Sequence, residues 1–261
     1  MRMTGEGSVS VILPSYCSEA HLSQAIDSVL AQTHSSWNLL IVDDQSPDGA
    51  WEIAQSYARR DARIRCIQNE QNIGVAATRN RGIELSQGEW IAFLDSDDMW
   101  HSEKLETQLA AAKHAAADLV YTSYAMFRDE DQHRAEYLVP ESVDYESLLL
   151  ENVIGCSTAM VRRSVLENHR FRPELYHEDY ALWLELLRSG AVAVGCPDVL
   201  VEWRISKASR SYNKLNAAKN RWAVYRQAEK LPLWKSASAF AVYAVRGIAK
   251  VRKNRHAERS I

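Results

Sequence analysis

Strand-like and helix-like patterns alternate along the first 124 residues, and this alternation restricts the fold more than any other feature of the chain. Ser8–Leu13 is a short β-rich run closed by Pro14. Glu19–Gln32 spaces Ala20, Leu22, Ala25, Ile26, Val29 and Leu30 with a helical period. Trp37–Val42 reads as a buried strand, Gly49–Arg60 as a helix, Ile64–Ile67 as a strand and Val75–Leu85 as a helix followed by a turn at Gly88. Trp90–Leu94, the Ala-rich helix Glu103–Ala117 and the strand Leu119–Tyr124 complete the series. A βαβαβαβ order predicts an α/β fold, Rossmann-like, with a mostly parallel sheet flanked by helices.

In such sheets ligands bind at the carboxyl ends of the strands. Polar clusters stand at three of those ends: Pro14-Ser15-Tyr16, Asp43-Asp44 and Asp95-Ser96-Asp97-Asp98. Carboxylates two apart on extended chain point to one side, so Asp95 and Asp97 can face one ligand. Their hard oxygens suit Mg²⁺ or Mn²⁺, which share ligands with substrate phosphates. Asp98 reads as the cap of a helix starting near Ser102. The glycine spacings of a dinucleotide fingerprint and of a phosphate-binding loop with its Lys are both absent. The four cysteines form no Cys-x-x-Cys pair and read as reduced thiols of a cytosolic protein.

The net charge of −3 hides an asymmetry. Trp203–Ile261 holds 15 Lys and Arg against 2 Asp and Glu, so the rest of the chain is strongly acidic. A basic tail on an acidic body points to an anionic partner. Leu233–Lys253 reads as an amphipathic helix, apolar along Ala237, Phe240, Ala241, Ala244, Val245, Ile248 and Val251, with cations at Arg246, Lys250 and Lys253. An anionic membrane surface fits this pattern. Nucleic acid does not, since no recognition motif is present and the body is acidic. No uncharged apolar run approaches the length of a membrane span.

The sequence resembles the family 2 glycosyltransferases, inverting enzymes of the GT-A fold. Five segments carry the resemblance, in the family's order: Ser10–Tyr16, Ile41–Asp48, Asn72–Asn80, Phe93–Asp98 and Glu178–Trp183. Ser211–Asn213, Trp222–Tyr225 and Glu229–Leu231 are similar to the tails of bacterial transferases that build O-antigen, exopolysaccharide or teichuronic acid. The resemblance implies a nucleotide pocket lined by Pro14 and Tyr16, with Asp43 accepting the imide N–H of the base. It implies Arg79 against the base or diphosphate, Asp95 on the ribose with Ser96 beside it, and Asp97 on a divalent metal, Mn²⁺ or Mg²⁺. Asp179 would be the catalytic base that deprotonates the acceptor hydroxyl as the anomeric centre inverts. Glu178 would support it or touch the acceptor, with Ser157, Thr158 and Trp183 as further acceptor contacts. Asp44, Asp48 and Asn80 read as turn and cap residues.

One departure stands out. Many relatives carry a His in a late tail motif, where this chain has Ser206. Arg204, Lys207 or Arg210 would then meet the diphosphate electrostatically. The implied enzyme is a metal-dependent hexosyltransferase adding one sugar from a UDP-sugar to a saccharide acceptor, lipid-linked, in cell-surface polysaccharide biosynthesis. The expected division is a GT-A domain over 1–205, with a nucleotide-sugar half (1–100) and an acceptor half (101–205), and a helical basic tail over 206–261. The expected location is cytoplasmic, peripheral on the inner face of the cell membrane. Three competing readings fit less well. A sugar nucleotidyltransferase needs a Gly-rich, Arg-containing loop where Pro14–Cys17 stands, and a haloacid-dehalogenase-type phosphatase needs its acidic motif after the first strand. A non-catalytic adaptor with the same fold has no need to keep both Asp97 and Asp179.

Overall fold

The computed structural model describes residues 7–129, 131–205 and 214–257. Its first half follows the expected alternation: β1 (Val9–Ser15), α1 (Leu22–Leu30), β2 (Trp37–Asp43), α2 (Ala50–Arg60), β3 (Ile64–Gln68), α3 (Val75–Leu85) and β4 (Trp90–Phe93). Every residue of β1 and β4 is buried, as strands covered on both faces require. α1 starts three residues later than its apolar period suggests, and the Glu19 N–H ahead of it donates to the Asp48 carboxylate (2.9 Å). The second half runs β5 (Met99–Trp100), α4 (Lys104–Ala115), β6 (Leu119–Arg128), β7 (Asp131–Tyr137), α5 (Tyr145–Leu150), β8 (Met160–Arg162), α6 (Glu178–Arg188), β9 (Ala193–Arg204), α7 (Lys214–Ala223) and α8 (Leu233–Ala257).

The sheet order is β3-β2-β1-β4-β8-β6-β9-β5, with β7 paired to β6. The expectation of parallel pairing holds across β3-β2-β1-β4 and again for β6 with β9. Elsewhere the sheet is mixed: β8 runs antiparallel to both β4 and β6, and β5 antiparallel to β9. A three-residue strand such as β8 carries too little periodicity to reveal itself or its direction.

Two apolar cores cover the two faces. One packs α1, α2 and α4 under β1 and β2, around Trp37, Leu39, Ile26 and Leu105. The other holds α3, α5 and α6 against Ile12, Phe93, Phe171 and Trp183. α3 lies so close to β1 that a Cβ on Gly82 would sit 2.5 Å from the Ile12 side chain, so only glycine fits there.

The tail joins the second core. Val224, Tyr225, Ala228, Leu231 and Ala239 are buried in the same cluster as Leu182 and Trp183. The helix expected over Leu233–Lys253 is present, but its apolar residues divide between two sides. Ser236 and Ala239 are buried, and the Phe240 ring packs edge-on against Trp222 at 5.6 Å between centroids. Ala237, Ala241 and Val245 face outward, with Leu233 and Trp234 at the start of the same side. Ser206, Lys207, Arg210 and Ser211–Asn213 lie outside the described residues, as do the side chains of Arg246, Ile248, Lys250, Val251 and Lys253. Among the described residues no helix is long and apolar enough to cross a membrane.

Candidate active site

Because β1, β2 and β4 are parallel neighbours, their carboxyl ends share one edge, with Ser15 level with Asp43. Pro14 is buried at the end of β1, and the Tyr16 ring stands exposed beyond it. Cys17 and Gln45, in the loops after β1 and β2, adopt left-handed backbone (φ 50° and 60°). Non-glycine residues held this way cluster at ligand sites.

Asp43 is fully buried. Its oxygens accept the Ser46 N–H (3.0 Å), the Ser46 hydroxyl (2.5 Å) and a Gln68 amide N–H (3.0 Å). These contacts occupy three of the about four acceptor positions of a carboxylate. Asp44 accepts from the backbone N–H groups of Ile73 and Gly74 (2.9 and 2.8 Å) and from Asn69 (2.7 Å), which anchors the start of α3. Asn80 exchanges two hydrogen bonds with the Phe171 backbone (2.8 and 2.9 Å). These contacts give Asp44 and Asn80 the structural roles expected of them.

Arg79 occupies the centre of the arrangement. It is 4% exposed, and its guanidinium pairs with Asp95 (2.5 Å) on one side and Glu178 (2.9 Å) on the other. Burial works against its charge, and Asp95 and Glu178 more than compensate, so it stays protonated. Two of its five N–H donors thus meet carboxylates. Nε alone is buried without a partner among the described residues. This bridge joins the β4 end to the first turn of α6, 83 residues away in sequence, and so ties the loop that carries Asp97 to the turn that carries Asp179.

Asp95, Ser96 and Asp97 are half-buried at the β4 end. The Asp97 carboxyl is pushed up to about 6, first by burial and then by Asp95. Asp98 does not cap a helix; α4 starts at Lys104 after Glu103. Its buried carboxylate accepts the Ser157 hydroxyl (2.5 Å) and the Arg204 N–H (3.0 Å), so it ties the acidic loop to the Cys156–Thr158 turn and to β9. Ser157 also accepts the Asp95 N–H (3.1 Å), and its carbonyl accepts Trp100 Nε1–H (2.9 Å). The Thr158 hydroxyl donates to the Gly155 carbonyl (2.7 Å). Ser157 and Thr158 are thus buried supports beneath the acidic loop and present no surface to a sugar. Trp183 is likewise corrected from acceptor contact to core: it is fully buried between Phe93 and Phe171.

Arg204, expected from the sequence to be one of the cations meeting the diphosphate, is buried behind the acidic loop. It donates to the Asp97 carbonyl (2.9 Å) and to Gln24 (2.6 Å), and pairs with Asp129. Gln24 carried no signal of such a role.

Asp179 sits in the first turn of α6. Asp95, Asp97 and Glu178 surround the same Arg79 bridge, and the Asp179 carboxyl is pushed up to about 6 by burial, then by Glu178. That is the range a general base needs near neutral pH. Glu178 is buried and held by Arg79, which fits support of Asp179 better than acceptor contact. A hollow of about 220 Å³, lined by Ile73, Val75, Pro173, Leu175 and Glu178, opens beside it. Among the described residues no group of three His, Cys, Asp or Glu is placed to hold a metal. Asp97 nevertheless fits one: a hard carboxylate at a strand end whose charge is disfavoured by burial and by Asp95, so that a cation would relieve both.

The chain is 37% identical over 243 residues to the Bacillus subtilis glycosyltransferase TuaG, named for teichuronic acid biosynthesis, covering 93% of this chain and 96% of that one. It is 35% identical over 217 residues to the Escherichia coli enzyme WfgD, named as a UDP-Glc:α-D-GlcNAc-diphosphoundecaprenol β-1,3-glucosyltransferase, with 83% and 84% covered. In structure it resembles S. aureus TarS, solved with UDP, at a TM-score of 0.71 and 20% identity, covering 95% of this chain and 73% of that one. It also resembles a mannosyltransferase of Pyrobaculum calidifontis solved with GDP-Man and Mn²⁺, at a TM-score of 0.64 and 17% identity, with 97% and 80% covered. These likenesses identify the fold as GT-A. The sequence model of glycosyl transferase family 2 matches residues 10–170, and with the strand-end acids and the Arg79 bridge in place, the chain belongs to that family.

Proposed function

We propose that the chain transfers one sugar, with inversion, from a UDP-sugar to a lipid-linked saccharide acceptor in cell-surface polysaccharide assembly. The Arg79 bridge carries this reading, because it sets the acid pair at the β4 end against the carboxylate on α6. Donor binding falls to Pro14, Tyr16, Asp43, Asp95 and Ser96. Asp97 would hold Mn²⁺ or Mg²⁺, which neutralises charge on the departing nucleoside diphosphate. Asp179 takes the proton of the acceptor hydroxyl, on the face of the sugar away from the leaving group. Arg79 and Glu178 hold the two halves of the site in register. WfgD's named acceptor, a diphosphoundecaprenol-linked sugar, supports a lipid-linked acceptor here.

Slow hydrolysis of the donor needs no acceptor and tests the reading directly. Incubation with UDP-glucose or UDP-GlcNAc and Mn²⁺ is expected to release UDP, and chelation to suppress the release. If no nucleotide sugar is hydrolysed or stabilises the protein against heat in the presence of metal, the enzymatic reading falls.

The location follows from the tail. α8 turns Leu233, Trp234, Ala237, Ala241 and Val245 outward, with Trp234 73% and Val245 67% exposed. The basic charge of the segment suits an anionic leaflet on the cytoplasmic side, at about 1 kcal/mol per cation near the surface. The full chain should sediment with phosphatidylglycerol vesicles at low salt and release as salt shortens the Debye length, which is roughly 8 Å at physiological ionic strength. Trp234→Ser with Val245→Ser should weaken this binding and leave donor hydrolysis intact. Point changes are the cleaner test, since deleting 233–261 would strip Ser236, Ala239 and Phe240 from the body. No sedimentation of the full chain at low salt would remove the membrane from the proposal.

A further inference from the structure

The tail segment Arg221–Leu231 takes no part in the strand-end site, yet it buries Arg221, the Tyr225 ring and the Glu229 carboxylate. Arg221 is 6% exposed. Its Nη2 donates to the Leu149 carbonyl (3.1 Å) and to the Tyr180 hydroxyl (3.1 Å), and its Nε to the Tyr225 hydroxyl (2.8 Å). The guanidinium also lies 4.4 Å from the Tyr180 ring centroid and 4.5 Å from that of Tyr243 in α8. Its described partners are therefore neutral: a carbonyl at the C-terminal turn of α5, two hydroxyls and aromatic faces. Burying a guanidinium is costly unless its donors are met, and here they are met by groups that belong to α5, α6 and the tail.

Tyr180 is the neighbour of Asp179 on α6. Its hydroxyl also donates toward the carbonyls of Leu149 (3.0 Å) and Leu148 (3.2 Å). At the other end of α6, Arg188 donates to the buried carboxylate of Glu229 (3.1 Å), which also accepts from the Tyr145 hydroxyl (2.9 Å). The tail thus clips α6 at both ends. On its third side the first turn is clipped to the donor half through Glu178 and Arg79 (2.9 Å).

We propose that Arg221 is a positioning residue for Asp179, acting through Tyr180, so that seating of the tail sets the direction of the base. The proposal rests on the assignment of Asp179 as the base. The lever is geometric. A carboxylate stands roughly 5 Å from the helix axis, so rotating α6 by about 10° moves it by about 1 Å. Misplacement on that scale costs about 10²-fold in rate.

The test uses the full chain and hydrolysis of UDP-glucose with Mn²⁺. Arg221→Met should lower kcat about 10–100-fold while the donor KM stays within about twofold. Arg221→Lys should recover part of the loss, because an ammonium can still donate to Leu149 and Tyr180. Tyr180→Phe keeps the ring in the core and removes only the hydroxyl, so it carries the test if Arg221→Met does not fold. The double variant should lose no more than the worse single one, since both changes break one link. In an Asp179→Asn background Arg221→Met should cost nothing further. Wild-type kcat in Arg221→Met, or losses that multiply in the double variant, overturns the positioning role and leaves the base assignment standing. Wild-type kcat in Asp179→Asn overturns the base assignment instead.

Discussion

Asp179→Asn is expected to lower turnover about 10²–10⁴-fold, the usual worth of a positioned general base, while donor affinity stays nearly unchanged. The substitution is close to isosteric and keeps the hydrogen bond that Oδ1 accepts from the Tyr180 N–H (2.7 Å), so the first turn of α6 should survive. What it removes is the proton acceptor. Burial and Glu178 hold the Asp179 carboxyl at about 6. A base must be ionised, so kcat should fall as the pH drops through about 6 and level off above it. The measurement belongs at saturating donor and metal, where a bound cation would hold Asp97 ionised, and the acid limb is assigned by its loss in Asp179→Asn. Retention of more than about a tenth of the wild-type rate, or an acid limb that persists in Asp179→Asn, would move the role to another group.

Asp97→Asn should weaken UDP binding in the presence of Mn²⁺ by more than about 10²-fold, since even groups that merely orient metal ligands are worth about 10–100-fold. The fold should tolerate the change. Asp97 is half-buried, and its carboxyl is raised to about 6 by burial and by Asp95, so its charge is a liability to the empty protein. Asp98 is the contrasting neighbour: it is buried and holds Ser157 and Arg204, and its loss should disturb the loop itself. Titration calorimetry with UDP and Mn²⁺ reads the first effect, and thermal melting separates it from the second. The same pKa implies that metal-dependent affinity declines below about pH 6. Unchanged affinity in Asp97→Asn would dismiss Asp97 as the metal ligand.

The amino-acid sequence by itself determined the α/β class and the parallel character of the first four strands, while their order in the sheet came from the structure. Strands buried on both faces must be continuous apolar runs, and helices over them must repeat every 3.6 residues, so both leave local patterns. It also placed the acids at the strand ends, because a polar cluster closing an apolar run marks where a parallel strand leaves the sheet. The tertiary structure alone decided what these residues touch. Nothing local in Arg79 announces that it bridges Asp95 and Glu178, nor in Ser157 that it supports the acidic loop, nor in Trp183 that it belongs to the core. Those roles depend on contacts between segments as much as 99 residues apart, which no short window contains. The antiparallel β8 and the seating of the tail on α6 are of the same kind. A basic amphipathic helix satisfies its pattern equally on a membrane or on its own body, and only packing shows which side of α8 meets Trp222 and which side is left facing outward.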